Sequence, residues 1–341
     1  ADGRRYVFHL RDDVLWSDGE PVTAGDFEYA WKRVLDPASG SPNPSLLYDI
    51  KGARAFHKGE TPDPGSVEVQ APDDLTLVVE LEQPTGYFLS LLAHYATYPV
   101  PRHVLESHGK DWTERGNIVT NGAFTLETWT RDKTMTLARN PEYHGRFKGN
   151  LQRVDLSFDV EWSVQMEMYE AGDLDFVSFG GTPLERDRAR RRHAGEYASA
   201  PMLGATYVAF DVSRPPLDDV RVRRAFALAT DKVTLADVVL RGYEFPAAGG
   251  FVPPGMPGHS AGINPPYDPE QAQKLLAEAG YPGGQGFPFI DAWTWQGIKA
   301  RADCLHSQWR DNLGVQVAWD VMDFSQFIDR VDRAPAHIVK T

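Results

Sequence analysis

Alternating apolar and polar positions predict a strand near the start of the chain, and a helical repeat follows it. Residues 6–11 alternate with a period of two, which is typical of a half-buried strand. From 27 to 35 the apolar residues fall on one helical face. Thr23 stands before this face as an N-cap, three residues ahead of Asp26. The Asp-Pro pair at 36–37 ends the helix.

The rest of the chain mixes both patterns. Helices are predicted at 46–57, 87–94, 102–107, 164–170, 269–279 and 298–312, and at 218–240 with a break inside it. Strands are predicted at 67–70, 75–81, 123–130, 134–139, 154–160, 175–179, 204–210 and 315–321. The strands at 123–130 and 134–139 are predicted to be antiparallel neighbours, joined by the polar turn at 131–133. Residues 249–268 are rich in Gly and Pro and are predicted to form a loop. The mixture indicates an α/β or α+β protein without internal repeats.

Composition narrows the class of protein. The 341 residues correspond to roughly two domains. Hydrophobic residues make 42% and charged residues 24%, as in an ordinary globular protein, and aromatic residues make 11%, enough to line a binding cleft. No run of 18 apolar residues occurs, so no segment is predicted to span a membrane. The start carries no apolar signal segment, so for an exported protein we expect the targeting segment outside this chain.

The charge balance and the cysteine count exclude further classes. The 35 basic and 48 acidic residues give a net charge of −13, which repels phosphate backbones and argues against nucleic acid as a partner. The basic run at 186–193 is interpreted as a solvated helix face. Cys304 is the only cysteine, which excludes a disulfide framework and any multi-cysteine metal site; inside a helical pattern it is interpreted as a buried small hydrophobe.

Two patterns imitate catalytic or metal-binding motifs. GHSAG at 258–262 matches Gly-x-Ser-x-Gly, but the prolines around it leave no strand before and no helix after Ser260, which a nucleophile elbow needs. We therefore expect no turnover of an activated ester. His94, His103 and His108 have no standard zinc spacing. No phosphate-binding glycine loop follows a strand, so the chain is not an ATPase subunit.

A series of motifs, in the same order along the chain, resembles the family 5 extracellular solute-binding proteins, the oligopeptide, dipeptide and nickel receptors of ABC importers. The motifs are YVFHLR at 6–11, WSDGEPVTA at 16–24, VTNGAF at 119–124 with Trp129, NPEY at 140–143, GDLD at 172–175, PPLDDVRVRRAF at 215–226 with Asp231-Lys232, and YDPE at 267–270 leading to KLLAEAGY at 274–281. The resemblance runs nearly from end to end.

The resemblance implies an α/β, two-lobe fold of the periplasmic-binding-protein type (type II, family 5). It implies a small extra domain of the first lobe at 1–118, part of the main first lobe at 119–205, and an incomplete second lobe at 206–341. We expect the chain to be truncated at both ends, because the family has further strands before the first motif and a Gly-Trp-x-x-Asp-Tyr element after the position where AHIVKT at 336–341 ends.

The implied function is binding without chemistry. Two lobes would close on a peptide or other small solute by hinge motion, and the closed form would dock on the ABC permease subunits. No catalytic residue, cofactor or metal is expected. The resemblance implies a monomer in the periplasm or outside the cell, with any membrane attachment through a lipid anchor outside this chain. An alternative is a ligand-sensing module of a larger fused regulator or receptor.

Seven residues are predicted to bind the ligand, and all but Phe324 have a second interpretation. By resemblance, Asn43 occupies a position where peptide-binding relatives have a wall aromatic, although it also suits a plain turn. Tyr48 lies nearby and belongs either to the core or to the cleft. Tyr207 matches a tyrosine at the crossing between lobes and serves either the cleft or hinge packing.

The other four lie in the last fifth of the chain. Trp293 and Trp295 share one face of a strand by their period of two, and such a pair lines either a core or a site. By resemblance, Phe324 stands at a wall aromatic position. Lys340 matches a cation that pairs with the ligand carboxylate in peptide receptors; its alternative is a solvated lysine near the terminus.

Overall fold

The chain forms two compact units, Ala1–Ala171 and Gly172–Thr341. The computed structural model describes residues 3–146, 149–158, 160–178, 182–333 and 338–340. Each unit contains at least one sheet and an apolar cluster of its own. The three-part division at 118/119 and 205/206 stays a prediction.

Helices and strands alternate along the chain. The helices are α1 (Ala24–Leu35), α2 (Ala53–His57), α3 (Phe88–Leu91), α4 (Arg102–His108), α5 (Trp162–Ala171), α6 (Pro183–Arg192), α7 (Val220–Leu228), α8 (Pro269–Glu278), α9 (Lys299–Leu313) and α10 (Phe324–Arg333). A π-helical segment covers Thr234–Val239. The strands are β1 (Arg5–His9), β2 (Val69–Asp73), β3 (Thr76–Glu80), β4 (Phe124–Thr130), β5 (Thr134–Arg139), β6 (Arg153–Ser157), β7 (Val208–Phe210), β8 (Ile290–Trp295), β9 (Val317–Met322) and β10 (Ile338–Lys340).

The first unit is built on an antiparallel sheet of order β1-β3-β2, with α1 packed against it. The predicted capping box is confirmed, since Thr23 N donates to Asp26 Oδ2 at 2.9 Å. The buried Asp26 carboxylate also accepts from Trp16 Nε1 and from the backbone N–H of Arg102. Asp26, two residues after the WSDGEPVTA motif, thus joins α1, the preceding turn and α4.

A second antiparallel sheet, of order β4-β5-β6, follows in the first unit. The predicted pairing of β4 with β5 is confirmed, with Phe124 opposite Arg139. Among the described residues from 106 to 215, the buried side chains are all polar: Thr136, Asn140 and Asp187. This stretch therefore lacks an apolar core of its own in the described ranges.

The second unit contains a mixed sheet of order β7-β10-β8-β9, in which β8, β9 and β10 are parallel and β7 is antiparallel to β10. One face carries the main core, which includes Phe226 of α7, Leu276 of α8 and Trp309 of α9. Phe327 of α10 packs with Trp293 of β8 in a separate small cluster. Both faces of β8 are covered, and four of its six residues are buried.

Three predicted elements differ from the structure. The helix at 46–57 is wrong: Ile50 pairs with Leu81, and Gly52 adopts a φ of +79°, so only Ala53–His57 is α-helical. No strand forms at 175–178, while Phe179 lies outside the described residues. The strand at 204–210 is confined to β7, because only Val208–Phe210 has a partner in β10.

Candidate functional site

The strand register in the second unit brings several predicted residues to one edge of the sheet. Because β8, β9 and β10 are parallel, their carboxyl ends meet at the same edge, which we call the carboxyl edge. The antiparallel β7 contributes its amino end there, with Val208 opposite Lys340. In open α/β sheets, ligands bind in the crevice outside this edge.

Two tryptophans of β8 face α10, as their period of two requires. Trp293 is 6% exposed and packs with Phe327, and the guanidinium of Arg330 lies over its ring, 4.1 Å from the centroid. Arg330 is also paired with Asp320 of β9. The Trp293 ring therefore has a buried side and a side covered by a cation, an arrangement stabilised by the ring's quadrupole.

Trp295, at the end of β8, is only partly buried. Its ring meets that of Phe324 edge to face, with 5.2 Å between the centroids. Phe324 is 56% exposed and begins α10 directly after β9. These two rings form an accessible aromatic wall at the carboxyl edge, while Trp293 lies behind it.

Tyr207 immediately precedes β7 and so stands at the same edge. Its ring lies 5.1 Å from that of Phe251, which is 68% exposed. The sequence predicts only a loop at 249–268 and does not single out Phe251. The single hint was an aromatic residue within a Gly- and Pro-rich stretch, and that pattern does not say which strand end the residue meets.

The predicted loop at 249–268 is confirmed, and hydrogen bonds within it and to residues outside it hold it in place. His259 Nδ1 lies 2.7 Å from the carbonyl oxygen of Val252, and Asn264 Nδ2 donates to the Ala247 oxygen at 2.8 Å. Lys232 Nζ donates to the Pro265 oxygen at 2.9 Å, and burial lowers the pKa of this lysine. The loop is thus a tied segment that presents Phe251 beside Tyr207.

The same loop contains the Gly-x-Ser-x-Gly sequence without the geometry of a nucleophile elbow. Ser260 is exposed, and neither a helix nor a strand flanks it in the fully described stretch from 249 to 268. The His259 ring is directed to the Val252 carbonyl instead. An elbow needs a strand before the serine and a helix after it.

Lys340 is the last described residue of β10, and it is paired through its backbone with Val208. Its side chain lies outside the described residues, as do Ala336, His337 and Thr341 of the terminal motif. By backbone position, Lys340 belongs to the carboxyl edge. Five of the seven predicted residues therefore lie on this edge or directly behind it: Tyr207, Trp293, Trp295, Phe324 and Lys340.

Asn43 and Tyr48 belong to the first unit. Asn43 Nδ2 donates to Tyr95 Oη at 2.9 Å, so its side chain holds an exposed aromatic ring from a distant part of the chain. The Tyr48 ring contacts the His57 ring, with 5.8 Å between the centroids, and the Arg54 guanidinium lies 5.0 Å from the Tyr48 centroid. The sequence does not predict the contact with Tyr95, because 52 residues separate it from Asn43.

Within the described ranges, no three or more His, Cys, Asp or Glu side chains are grouped so that they could hold a metal ion. Across those ranges no helix is both long and apolar enough to cross a bilayer. Burial raises the pKa of the Cys304 thiol, which lies 3.5 Å from Gln308 Nε2 and is therefore a weak nucleophile.

Comparison with known proteins identifies what this arrangement is similar to. The family model described as bacterial extracellular solute-binding proteins, family 5 Middle, matches residues 1–339. The chain is 35% identical over 337 residues to the probable deoxycholate-binding periplasmic protein YgiS of Escherichia coli, and 34% identical over 338 residues to the periplasmic oligopeptide-binding protein OppA of the same organism. These alignments cover 96% of this chain but 62% of each relative.

Solved structures agree with the family match. Haemophilus influenzae OppA in complex with RPPGFSPFR has a TM-score of 0.83 and 29% identity, and the Escherichia coli murein tripeptide binding protein MppA has a TM-score of 0.86 and 30% identity. Both alignments cover the whole of this chain and 68% of the solved chain. The fold and the resemblance predicted from the motifs are therefore confirmed.

Proposed function

Because the chain belongs to the bacterial extracellular solute-binding proteins of family 5, we propose that it acts as the peptide-binding receptor of an ABC importer. It spans 62% of the length of the curated relatives named above. The activity, the solute and the partners of the whole protein belong to this proposal.

One observation carries the proposal: the carboxyl edge of the second unit is lined by accessible aromatic rings. Trp295 and Phe324 meet edge to face, and Tyr207 meets Phe251. Aromatic walls with a few polar anchors are typical of sites that bury a small organic ligand. A peptide supplies both apolar side chains for such walls and backbone groups for an exposed strand end.

The mechanism that we propose is capture without chemistry. The solute would be enclosed by hinge closure of two lobes and then delivered, unaltered, to the permease subunits. The receptor would act as a monomer in the periplasm or at the cell surface, held there by a lipid anchor if one is present. Nothing in the fold or among the relatives described favours a sensing module of a fused regulator.

Isothermal titration calorimetry of the full chain with the nonapeptide RPPGFSPFR tests the proposal. We expect saturable binding that Trp295→Ala weakens by about tenfold or more, because truncating an aromatic anchor removes a large share of the binding energy. The matched control is Phe289→Ala. Phe289 is also exposed, but it precedes β8 and so lies at the opposite edge of the sheet, and binding should change less than about twofold.

The outcomes separate the alternatives. Binding that is equally weakened by Phe289→Ala, or absent in the unsubstituted chain, would overturn the peptide proposal. Binding of deoxycholate but not of peptide would keep the receptor and replace the solute class. Unaltered peptide recovered by chromatography after incubation is the expected result for a receptor, whereas cleaved peptide would show an enzyme.

Trp293→Ala addresses the choice between core and site for the buried tryptophan. Trp293 contacts Phe327 and Arg330, and we expect a free energy of unfolding lower by about 3–5 kcal/mol, as for other buried tryptophans. Weaker peptide binding at a temperature where this variant remains folded would assign the ring to the site. Unchanged binding with lowered stability would assign it to the core.

A further inference from the structure

A polar cluster holds α6 to the rest of the second unit. The buried Asp187 carboxylate of α6 accepts from Arg241 Nε at 2.6 Å and from Tyr243 Oη at 3.1 Å. Arg190 Nη2 lies 3.4 Å from Asp187 Oδ1. We call these four residues the Asp187 cluster. Its two halves are separated by 54 residues of sequence, so it joins distant parts of the chain.

Two further arginines contact residues in or next to the Asp187 cluster. The Arg186 guanidinium of α6 lies 5.0 Å from the centroid of the Tyr243 ring. The next residue, Glu244, is paired with Arg301 of α9, which is mostly buried. The turn Arg241–Glu244 is therefore held on one side by α6 and on the other by α9.

The attachment of α6 contains no apolar core. Within the described part of the segment 172–205, Asp187 is the only buried side chain. The main core and the Trp293 cluster of this unit receive no apolar side chain from that part of the chain. An attachment made of hydrogen bonds and ion pairs can be exchanged for water at small net free-energy change, whereas a packed core cannot.

We propose that the Asp187 cluster is a latch between α6 and the turn at 241–244, engaged in one conformation and open in another. The predicted boundary between lobes at 205/206 separates the two sides of this latch. Its role in ligand retention rests on the proposed function, because the engaged latch would favour the lobe arrangement that holds the solute. The existence of the latch itself does not depend on a ligand.

Hydrogen–deuterium exchange on the full chain without ligand tests the latch. In Asp187→Asn the side-chain volume stays but the charge that Arg241 and Arg190 face is lost. We expect amide exchange in α6 and in the Arg241–Glu244 turn to rise about tenfold, with α9 and β8 unchanged. The matched control is Asp303→Asn, which removes an ion pair of 2.6 Å with Lys299 on the surface of the same unit and should change neither region.

Tyr243→Phe provides a milder second variant, since it removes only the hydroxyl that donates to Asp187. It should raise exchange in the same two regions by a smaller factor. Unchanged exchange in both variants would overturn the latch. A rise throughout the second unit, including β8 and α9, would show an ordinary structural contact and would also overturn it.

Titration with RPPGFSPFR then separates the two proposals. If the peptide binds, Asp187→Asn should speed its dissociation several-fold, while Asp303→Asn should not; equal dissociation rates would overturn the role in retention. If no variant binds the peptide, the proposed function fails, and the exchange experiment still decides whether the latch exists.

Discussion

Two threonines in strands show how differently a buried hydroxyl can be placed. Thr136 of β5 donates from Oγ1 to Asp155 Oδ1 at 2.7 Å. Thr294 of β8 is 0% exposed, and among the described residues its Oγ1 has no hydrogen-bond partner. A buried polar atom without a partner costs about 1–3 kcal/mol relative to an apolar group of the same shape. The Thr294 hydroxyl therefore lowers the stability of the fold at β8, next to the aromatic residues of that strand.

The paired substitutions Thr294→Val and Thr136→Val should have opposite effects. Valine keeps the shape and the strand preference of threonine. We expect Thr294→Val to raise the free energy of unfolding by about 1 kcal/mol, and Thr136→Val to lower it by about 1 kcal/mol. Urea denaturation followed by circular dichroism measures both. A loss of stability in Thr294→Val would show that its hydroxyl is satisfied in solution.

At the scale of elements, a single glycine explains why one predicted helix is broken. Gly52 has a φ of +79°, and a Cβ built there would lie 2.1 Å from the carbonyl oxygen of Ser66. Gly59, just beyond α2, has a similar φ of +73° but open space around it. The two positions share a positive φ, which would strain any L-residue, and they differ in the close approach of another chain segment.

Alanine at these two positions separates strain from collision. Gly59→Ala should lower the free energy of unfolding by about 1–2 kcal/mol, the cost of a left-handed backbone for an L-residue. Gly52→Ala should cost clearly more, because the Ser66 backbone must move as well. Chemical denaturation of both variants gives the comparison. Equal losses of unfolding free energy would mean that the Ser66 backbone can move at no measurable cost.

The break after α7 has an acidic cap. Asp231 Oδ1 accepts from the backbone N–H groups of Val233 and Thr234, each at 3.0 Å, and the Thr234 hydroxyl donates to Oδ2 at 2.7 Å. These hydrogen bonds, led by that from the Thr234 backbone, lower the pKa of Asp231. The predicted break in the helix at 218–240 is thus the start of a second helical segment, which the Asp231 side chain caps.

The cap predicts a dependence on pH. An unfolded aspartate titrates near 3.9, and the folded group titrates lower, so the folded state binds fewer protons. Its stabilising effect is complete above about pH 5 and is lost as the pH falls through the folded pKa. In acid titrations of stability, Asp231→Asn should therefore show a smaller decrease below about pH 4 than the unsubstituted chain. Identical decreases would contradict a role for this carboxylate.

On the scale of the whole molecule, each compact unit has its own apolar cluster. Leu35 is fully buried in the core of the first unit, and Leu276 is 1% exposed in that of the second. A separate core is the usual requirement for a unit that can unfold by itself. The two cores therefore predict two unfolding transitions in one chain.

Differential scanning calorimetry of Leu35→Ala and Leu276→Ala tests this expectation. Each substitution removes buried methyl groups and should cost about 2–5 kcal/mol. Leu35→Ala should lower the midpoint of only one transition, and Leu276→Ala that of only the other. A single transition lowered by both variants would show that the chain unfolds as one cooperative unit.

The sequence predicted many residues of the candidate site, but not which of their side chains come into contact. Trp293 and Trp295 share a strand face, as their spacing predicts, and both belong to the cluster with Phe327. Their partner Phe324 comes from the next helix but one. The pairing of Tyr207 with Phe251 depends on where the loop at 249–268 folds back, and local sequence carries no information on that.

By itself, the amino-acid sequence determined the elements whose cause is local: the capped helix at Ala24–Leu35, the hairpin of β4 and β5, the loop at 249–268 and the family motifs. Hydrophobic period, capping and turn chemistry act over a few residues, so a linear pattern records them. Only the tertiary structure decided that β10 lies between β7 and β8, which brings Lys340 opposite Val208, and that Asp187 meets Arg241. Such pairings depend on the global topology, because groups far apart in sequence become neighbours only when the whole sheet and its helices are in place.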